Sequence, residues 1–232
     1  MPNSLRPWTP IAVTAVVSIL LTACTPGRPA VVGPVGQPRD VASGLERATL
    51  LEEPARIDFR WELNEEGARV RGVGVARVEP PYRARLDLFR DNQESVISAV
   101  VVEGELRIPP GAPDDVLPPV DLMWSTLGVF HPVDGTELVG GDRLDNAAQR
   151  LRYRYQDGRE LHYQTAAGRL QAAELLERGS VVEWVRLTDV PGERFPASAT
   201  YRNLRDFREL VIERTAWRPA EPFDPDIWDP RG

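Results

Sequence analysis

The stretch IDFRWELN, residues 57–64, alternates apolar and polar side chains with a period of two. Its apolar positions are Ile57, Phe59, Trp61 and Leu63, and charged or amide side chains stand between them. Successive side chains of a β-strand point to opposite faces of a sheet, so this alternation predicts a half-buried strand. One face of that strand packs on an apolar core and the other lies in water.

The same alternation recurs along most of the chain. Apolar residues alternate with charged ones around Leu86, and Tyr153 and Tyr155 alternate with three arginines. Turn dipeptides separate these stretches, and Asp157-Gly158 is the strongest hairpin signal because it favours a type I′ turn. The sequence predicts ten or eleven strands in a mainly β domain. Such a chain forms a curved antiparallel sheet, an open barrel or a sandwich.

Two helices are predicted among the strands. The first covers residues 41–53 and ends before a proline. The second covers residues 120–130, follows two prolines and is strongly apolar. Met123, Leu127 and Phe130 share one face of it, so this helix is predicted to cover the apolar face of the sheet, as a lid or as a plug. An ordinary core helix would give the same pattern.

The N-terminus is typical of a targeting segment. Residues 11–23, IAVTAVVSILLTA, carry no charge. They are shorter than the roughly 20 residues of a membrane-spanning helix and match a signal-peptide core. The following LTAC, residues 21–24, resembles the bacterial lipobox. That resemblance implies cleavage before Cys24, a diacylglycerol thioether on its sulfur and an acyl chain on its new amino terminus. A buried cysteine after an ordinary signal peptide is the alternative.

The chain is predicted to have four segments. These are a lipoprotein signal peptide (1–23), the acylated cysteine with a Pro/Gly-rich tether (24–39), a β domain (40–217) and a Pro-rich C-terminal tail (218–232). In polyproline II geometry, at about 3.1 Å per residue, the tether would reach roughly 45 Å. Thr25 is not the aspartate that favours inner-membrane retention, so by analogy with Gram-negative sorting we expect the outer membrane, facing the periplasm. The tail is predicted to be extended, or to be pinned to the body by Phe223, Ile227 and Trp228.

The composition excludes several classes of function. The 232 residues include 28 basic residues, all arginine, which excludes a P-loop lysine, a Schiff-base lysine and a Ser-x-x-Lys acylase. The single cysteine excludes an intrachain disulfide and a cysteine-rich zinc site, and a net charge of −7 argues against nucleic-acid binding. His131 and His162 are the only histidines, and no metalloprotease or nucleophile-elbow motif accompanies them. We therefore predict no catalytic residue, no metal site and no cofactor besides the covalent lipid.

Two longer phrases, PPYRARLDLF (80–89) and LPPVDLMWSTLGVF (117–130), carry a family resemblance. Together with the lipobox, the tether and the order of helices and strands, they resemble the LolA/LolB family of lipoprotein carriers, especially LolB-like outer-membrane lipoproteins. The resemblance covers residues 40–217. It implies an unclosed β-barrel of about eleven strands with a helical lid over an apolar cavity. It also implies that acyl chains or other lipoproteins are cargo, bound in the periplasm for delivery to the outer membrane.

One departure from the family concerns a loop. The outer-membrane receptor of this family carries an exposed apolar residue at a loop tip, which helps it insert into the membrane. The corresponding loop here, residues 90–94, contains no apolar residue. The resemblance therefore supports lipid binding more than it supports membrane delivery.

A lipid carrier needs a large apolar concavity. The residues predicted to line it are Phe59, Trp61, Leu86, Leu88, Met123, Trp124, Leu127, Phe130, Tyr153, Tyr155 and Trp184. Each also fits a plain core position. Two other functions stay open, a structural or regulatory envelope lipoprotein whose concave face is filled by its own helix, and a lipid or glycan hydrolase with dispersed carboxylates. Apolar space on the order of hundreds of Å³ under residues 120–130 would indicate a carrier, and little space a filled core.

Overall fold

The computed structural model describes residues 28–112 and 116–230, so the predicted leader and Cys24 lie outside the described residues. The described chain forms one antiparallel sheet that does not close, with β1 and β6 at its two edges. The strands are, in chain order, β1 (Val31–Pro34), β2 (Ala55–Glu65), β3 (Ala68–Glu79), β4 (Arg83–Arg90), β5 (Ser95–Val102), β6 (Glu105–Arg107), β7 (Glu137–Leu144), β8 (Gln149–Arg154), β9 (Glu160–Ala166), β10 (Arg169–Glu177), β11 (Ser180–Thr188), β12 (Ser198–Asn203) and β13 (Arg208–Pro219). The helices are α1 (Pro38–Thr49), α2 (Val120–Thr126) and a short 3₁₀ helix (Pro225–Trp228).

The order across the sheet is β1-β7-β8-β9-β10-β11-β12-β13-β2-β3-β4-β5-β6. Most neighbours in the sheet are also neighbours in sequence, which is the meander that alternating strands and short turns predict. The prediction of a curved, unclosed antiparallel sheet with a short apolar helix is confirmed. The described residues contain 13 strands rather than about eleven. The two additional strands, β1 and β7, pair with each other.

Both of these strands lack the alternating pattern. Strand β7 contains Gly140-Gly141, which favours a loop in a sequence-based prediction. In the structure a Cβ at Gly141 would lie 3.2 Å from the Cβ of Val35 and 3.3 Å from that of Pro38. A glycine therefore lets the start of α1 pack directly on the edge of the sheet.

Part of the predicted tether belongs to the body. Val31 lies opposite Leu144 in the sheet, and the backbone N–H of Val35 donates to the carbonyl of Gly141 at 2.9 Å. Helix α1 then begins at Pro38, in the first turn, where a proline needs no hydrogen-bonded N–H. The sequence places residues 31–39 in an extended tether because prolines and glycines dominate there. In fact they form an edge strand and a helix start.

Two glycines of β3 let the sheet bend sharply next to large aromatic side chains. A Cβ at Gly72 would lie 1.9 Å from the carbonyl oxygen of Phe89, and one at Gly74 would lie 2.3 Å from the Phe59 ring. The indole N–H of Trp61, opposite Gly72, donates to the carbonyl of Phe89 at 3.2 Å. This GxG stretch therefore provides room for aromatic side chains and for a close approach of the neighbouring strand.

The C-terminal tail folds back on the outer face of the sheet. Trp228 is buried against Val100 and Val102 of β5. The Arg85 guanidinium donates to the carbonyl of Ile227 at 2.8 Å and also forms an ion pair with the buried Asp87. Of the two arrangements considered for the tail, the structure shows the pinned one. The apolar face of the 3₁₀ helix covers outward-facing valines that would otherwise be exposed.

Candidate functional site: the inner face and its helix

The inner face of the sheet forms one apolar wall. All the predicted lining residues except Trp184 belong to this core or pack against it. Phe59, Leu86 and Leu88 are 1–3% exposed, which places them at the bottom of the concavity. They lie there because every second residue of a strand points to the same face, so the apolar phase of each strand becomes one surface.

Trp184 lies on the opposite face. In β11, Val185 is fully buried in the inner core, so its neighbour Trp184 points outward. The pairing of strands places Trp184 opposite Glu174 on one side and Arg202 on the other. The Arg186 guanidinium lies 4.6 Å from the centre of the Trp184 ring, in a cation–π contact. The prediction that Trp184 lines the cavity is therefore wrong, because the register of β11 places this side chain on the outer face.

Helix α2 occupies the concavity. It packs on β10, β11 and β12, and Leu122, Met123 and Trp124 are each at most 2% exposed. Gly128, at a φ of +73°, ends this segment earlier than the predicted residue 130. Phe130 follows and contacts the Tyr163 ring edge-on, with ring centres 4.8 Å apart. The helix therefore fills the space that a carrier would offer to an acyl chain.

Little free volume remains beneath the helix. A void of about 20 Å³ lies between α2 and strands β2, β12 and β13. It is bordered by Phe59, Leu127, Phe195 and Ile212, among others. This space is below the size of a lipid chain.

Few polar contacts hold the helix in place. The Tyr155 hydroxyl donates to the Asp121 carboxylate at 2.7 Å. Burial, and then this hydrogen bond, raise the pKa of Tyr155. At the other end, the backbone N–H of Phe130 donates to the Thr49 hydroxyl at 2.9 Å, and the Tyr163 hydroxyl donates to the carbonyl of His131 at 3.0 Å. The remaining attachment is apolar packing, which is non-directional and tolerates exchange of one apolar group for another.

A cleft of about 580 Å³ lies beside α2, near the open seam of the sheet. Its lining includes Tyr82, Val120 and His131, together with the β5–β6 turn. The Tyr82 and His131 rings stack with centres 3.8 Å apart, and both rings contact Trp124 edge-on. Burial lowers the pKa of His131, which favours its neutral form. The cleft thus leads from solvent to an aromatic cluster that separates it from the inner core.

The other histidine is far from this cleft. His162 lies on the outer face of β9, where its Nε2 atom is 2.8 Å from the Glu160 carboxylate. Its neighbours across the strands are Arg152 and Glu174. Burial lowers the pKa of His162, and the hydrogen bond to Glu160 acts in the opposite direction. The described residues contain no cluster of three metal-binding side chains.

Three residues of the inner face were missed in the sequence. Tyr163 is fully buried and contacts Phe130. The alternation in β9 puts Tyr163 and His162 on opposite faces of the strand, but Tyr163 was not predicted to line the cavity. Ile212 likewise follows the alternation of its strand, β13, and was not predicted to line the cavity. Phe195 lies in a loop before β12, where no periodic pattern reveals its burial.

These features define a class of protein: an open antiparallel half-barrel whose apolar inner face is closed by a short helix. The fold is similar to that of solved structures with LolA-like architecture. A LolA superfamily protein from Nitrosomonas europaea aligns with a TM-score of 0.53 and 10% identity, over 82% of this chain and 96% of that chain. A structure from Vibrio parahaemolyticus, described as an outer membrane lipoprotein-sorting protein domain, aligns with a TM-score of 0.56 and 6% identity, over 82% and 94% of the two chains.

A DUF1329 family protein from Desulfovibrio piger is also similar, with a TM-score of 0.52 and 12% identity over 84% of this chain and 97% of that chain. No family model matches the sequence, and no curated protein matches it. The similarity to these solved structures is therefore one of fold. None of the helices in the described residues is long and apolar enough to cross a membrane.

Proposed function

We propose that this protein is a periplasmic lipoprotein, anchored to the outer membrane through acylated Cys24, whose inner face binds acyl chains. The cargo is a free lipid or the lipid part of another lipoprotein, in transport toward the outer membrane. The observation that carries the proposal is the apolar inner wall closed by α2, a helix held mainly by side-chain packing. No catalytic step is part of this function.

The energetics of exchange support this function. Burying an acyl chain of about 15 methylenes yields roughly 12 kcal/mol, at about 0.8 kcal/mol per methylene. Leu122, Met123, Trp124, Leu127 and Phe130 are buried in the same space. Re-exposing these side chains costs on the order of 10 kcal/mol, at roughly 2 kcal/mol each. The two terms are comparable, so an acyl chain can replace the helix without a large net change in free energy.

The similar structures support the same function. Two of them are described as a LolA superfamily protein and as an outer membrane lipoprotein-sorting protein domain. The lipobox residues supply the anchor, and an anchored chain in the periplasm meets lipoproteins in transit. In the cell envelope, a lipid anchor would hold an acyl-binding fold close to the membrane that receives the cargo.

A second candidate rests on the small size of the void. With only about 20 Å³ beneath α2, the inner face is already filled. A structural or regulatory envelope lipoprotein needs no more than this filled core. The two candidates differ in whether α2 leaves its position when an acyl chain is supplied.

The deciding experiment uses the mature chain, expressed with its own leader in a Gram-negative host and purified without harsh detergent. Mass spectrometry of the intact protein reports acylation of Cys24, and organic extraction reports acyl species held non-covalently. Titration of the delipidated protein with a fluorescent palmitate analogue then measures affinity. Acyl species in the extract and saturable binding support the carrier. Their absence in both measurements establishes the filled-core alternative.

Two adjacent residues of β13 provide a matched control. Ile212 borders the void under α2, whereas Val211 faces the outer side, and both are half-buried and β-branched. Ile212→Gln places a polar amide in the acyl path and is expected to weaken palmitate binding about tenfold, the equivalent of about 1.4 kcal/mol. Val211→Gln is expected to leave the affinity unchanged. Equal effects of the two substitutions would place the lipid outside the inner face.

A further inference from the structure

A single ion pair fixes the N-terminal end of the described chain on the outer face of the sheet. The Arg28 guanidinium pairs with the carboxylate of Glu174 in β10. The Glu174 side chain is only 5% exposed, whereas Arg28 is 45% exposed. Two residues later, the carbonyl of Ala30 accepts a hydrogen bond from the backbone N–H of Asp145, and β1 begins. The chain therefore enters the body from the outer face.

This attachment shortens the link between Cys24 and the body. Arg28 follows Cys24 by four residues in the sequence. Four residues span at most about 14 Å when fully extended. A free tether through residue 39 would have reached about 45 Å. With the acyl chains of Cys24 in a bilayer, the point where Arg28 meets Glu174 must lie close to the lipid surface.

The surroundings of this point suit an anionic lipid surface. Trp184 lies directly opposite Glu174 in β11, and Arg186 stacks on its indole ring. A tryptophan beside an arginine is a combination common at membrane interfaces. Arg186 pairs with no carboxylate in the described part of the chain. It is an exposed cation on β11, the strand next to β10.

The edge strand adds an apolar contribution. Val31 and Val32 of β1 are 52% and 59% exposed, in a protein that buries most of its large apolar side chains. They lie next to Arg28 in sequence, and Val31 lies opposite Leu144 in β7. Exposed valines three and four residues after Arg28 match the boundary between lipid headgroups and acyl chains.

We propose that the mature protein lies with the outer face of β8–β11 against the anionic surface of the bilayer that holds Cys24. The Arg28–Glu174 ion pair sets this orientation, and Trp184 and Arg186 contact headgroups. The sheet then stands between the bilayer and α2, so the inner face is presented to the periplasm. This inference rests on the acylation of Cys24 in the proposed function, but it does not depend on cargo binding.

The test measures which face is near lipid. Purified mature protein is reconstituted in vesicles of phosphatidylcholine and phosphatidylglycerol that contain a lipid-attached quencher. A fluorophore is placed at Thr200→Cys, opposite Arg186 on the outer face, or at Asp91→Cys in the β4–β5 hairpin. Both variants must first show the denaturation midpoint of the unlabelled protein. We expect quenching at position 200 to be severalfold stronger than at position 91. Equal quenching at the two positions would overturn the proposed orientation.

Three further variants separate the causes. Glu174→Gln removes the ion pair with Arg28, and a flexible Gly/Ser insert after Thr25 adds residues between Cys24 and the body. Each change lengthens the free segment between the anchor and the sheet, so each is expected to reduce quenching at position 200. Arg186→Glu is expected to reduce it on vesicles with phosphatidylglycerol but not on phosphatidylcholine alone, because the headgroup attraction is electrostatic. Unchanged quenching in all three variants would contradict the role of the ion pair and of the arginine.

A failure of acylation is distinguishable from a failure of this orientation. If the intact mass shows an unmodified Cys24, the anchor in the proposed function is wrong. In that case the reporter fluorophore is first attached at position 200 or 91 of the unacylated protein. The Cys24 thiol is then coupled to a maleimide-bearing lipid in a separate step. Stronger quenching at position 200 in that form still supports the orientation. Quenching at position 200 that is no stronger than at position 91 in that form would overturn the orientation.

Discussion

The inner and outer faces of this sheet are built from the same strands, yet they are stabilised by different forces. Inside, residues such as Leu86 and Phe59 are buried in an apolar core together with α2. Outside, arginine–carboxylate pairs such as Arg150–Asp142 cover the strands. Apolar contacts are non-directional, so one apolar group can replace another. Charged pairs are directional and fix the relative position of the two side chains.

The curvature that creates an inner face depends on glycines of β3, and their replacement has the largest expected effect. Gly72→Val would place a side chain within 1.9 Å of the Phe89 carbonyl oxygen, and backbone atoms cannot move away as a flexible side chain can. We expect a loss of about 4 kcal/mol or more in the free energy of unfolding, or failure to fold. Soluble yield and urea denaturation measure this.

Gly44 serves as the control for this substitution. It lies inside α1, and a Cβ there would meet no atom within 4 Å. Gly44→Ala is expected to raise stability by about 0.5–1 kcal/mol, because alanine favours the helix. Normal folding of Gly72→Val would show that the close approach of β3 and β4 is not required for the curved sheet.

The next effect compares two tryptophans on opposite faces. Trp124→Ala removes an inner side chain that is 2% exposed and leaves a cavity, so we expect a loss of about 3–5 kcal/mol. Trp184→Ala removes a half-buried outer side chain and its contact with Arg186. There we expect about 1 kcal/mol or less. Equilibrium denaturation of both variants measures the difference, and similar losses would contradict the assignment of the two residues to different faces.

The two tryptophans show which parts of the site could be predicted from the sequence and which could not. Period-two alternation correctly predicted the strand around residues 57–64, and helical spacing of apolar residues correctly predicted the apolar helix, because burial of one face leaves a direct trace in the sequence. Trp184 was misplaced because β11 begins with consecutive apolar residues and a register shift, so its phase is ambiguous. Strands β1 and β7 were missed because proline and glycine at a sheet edge resemble a loop. The Arg28–Glu174 pair joins residues 146 positions apart, which no local pattern predicts.

The smallest expected effect concerns pH, and it compares the two histidines. Burial lowers the pKa of both His131 and His162 below the ordinary value of about 6.5. As the pH falls below about 6.5, the unfolded chain binds protons that the folded chain does not. The full stability is therefore present above that pH and declines as the pH falls toward the folded-state pKa values, by at most about 1.4 kcal/mol per pH unit for each histidine.

His131 is expected to account for more of this decline than His162. The Glu160 carboxylate, 2.8 Å from His162, stabilises a charge on that ring, whereas His131 is stacked against Tyr82 and interacts with Asp134 and Glu46 only through space. We therefore expect His131→Asn to flatten the stability profile between about pH 7 and pH 5 more than His162→Asn does. Urea midpoints at several pH values measure both variants. If His162→Asn flattened the profile more, the outer face rather than the aromatic cluster beside the plug would be the site where protonation weakens the fold.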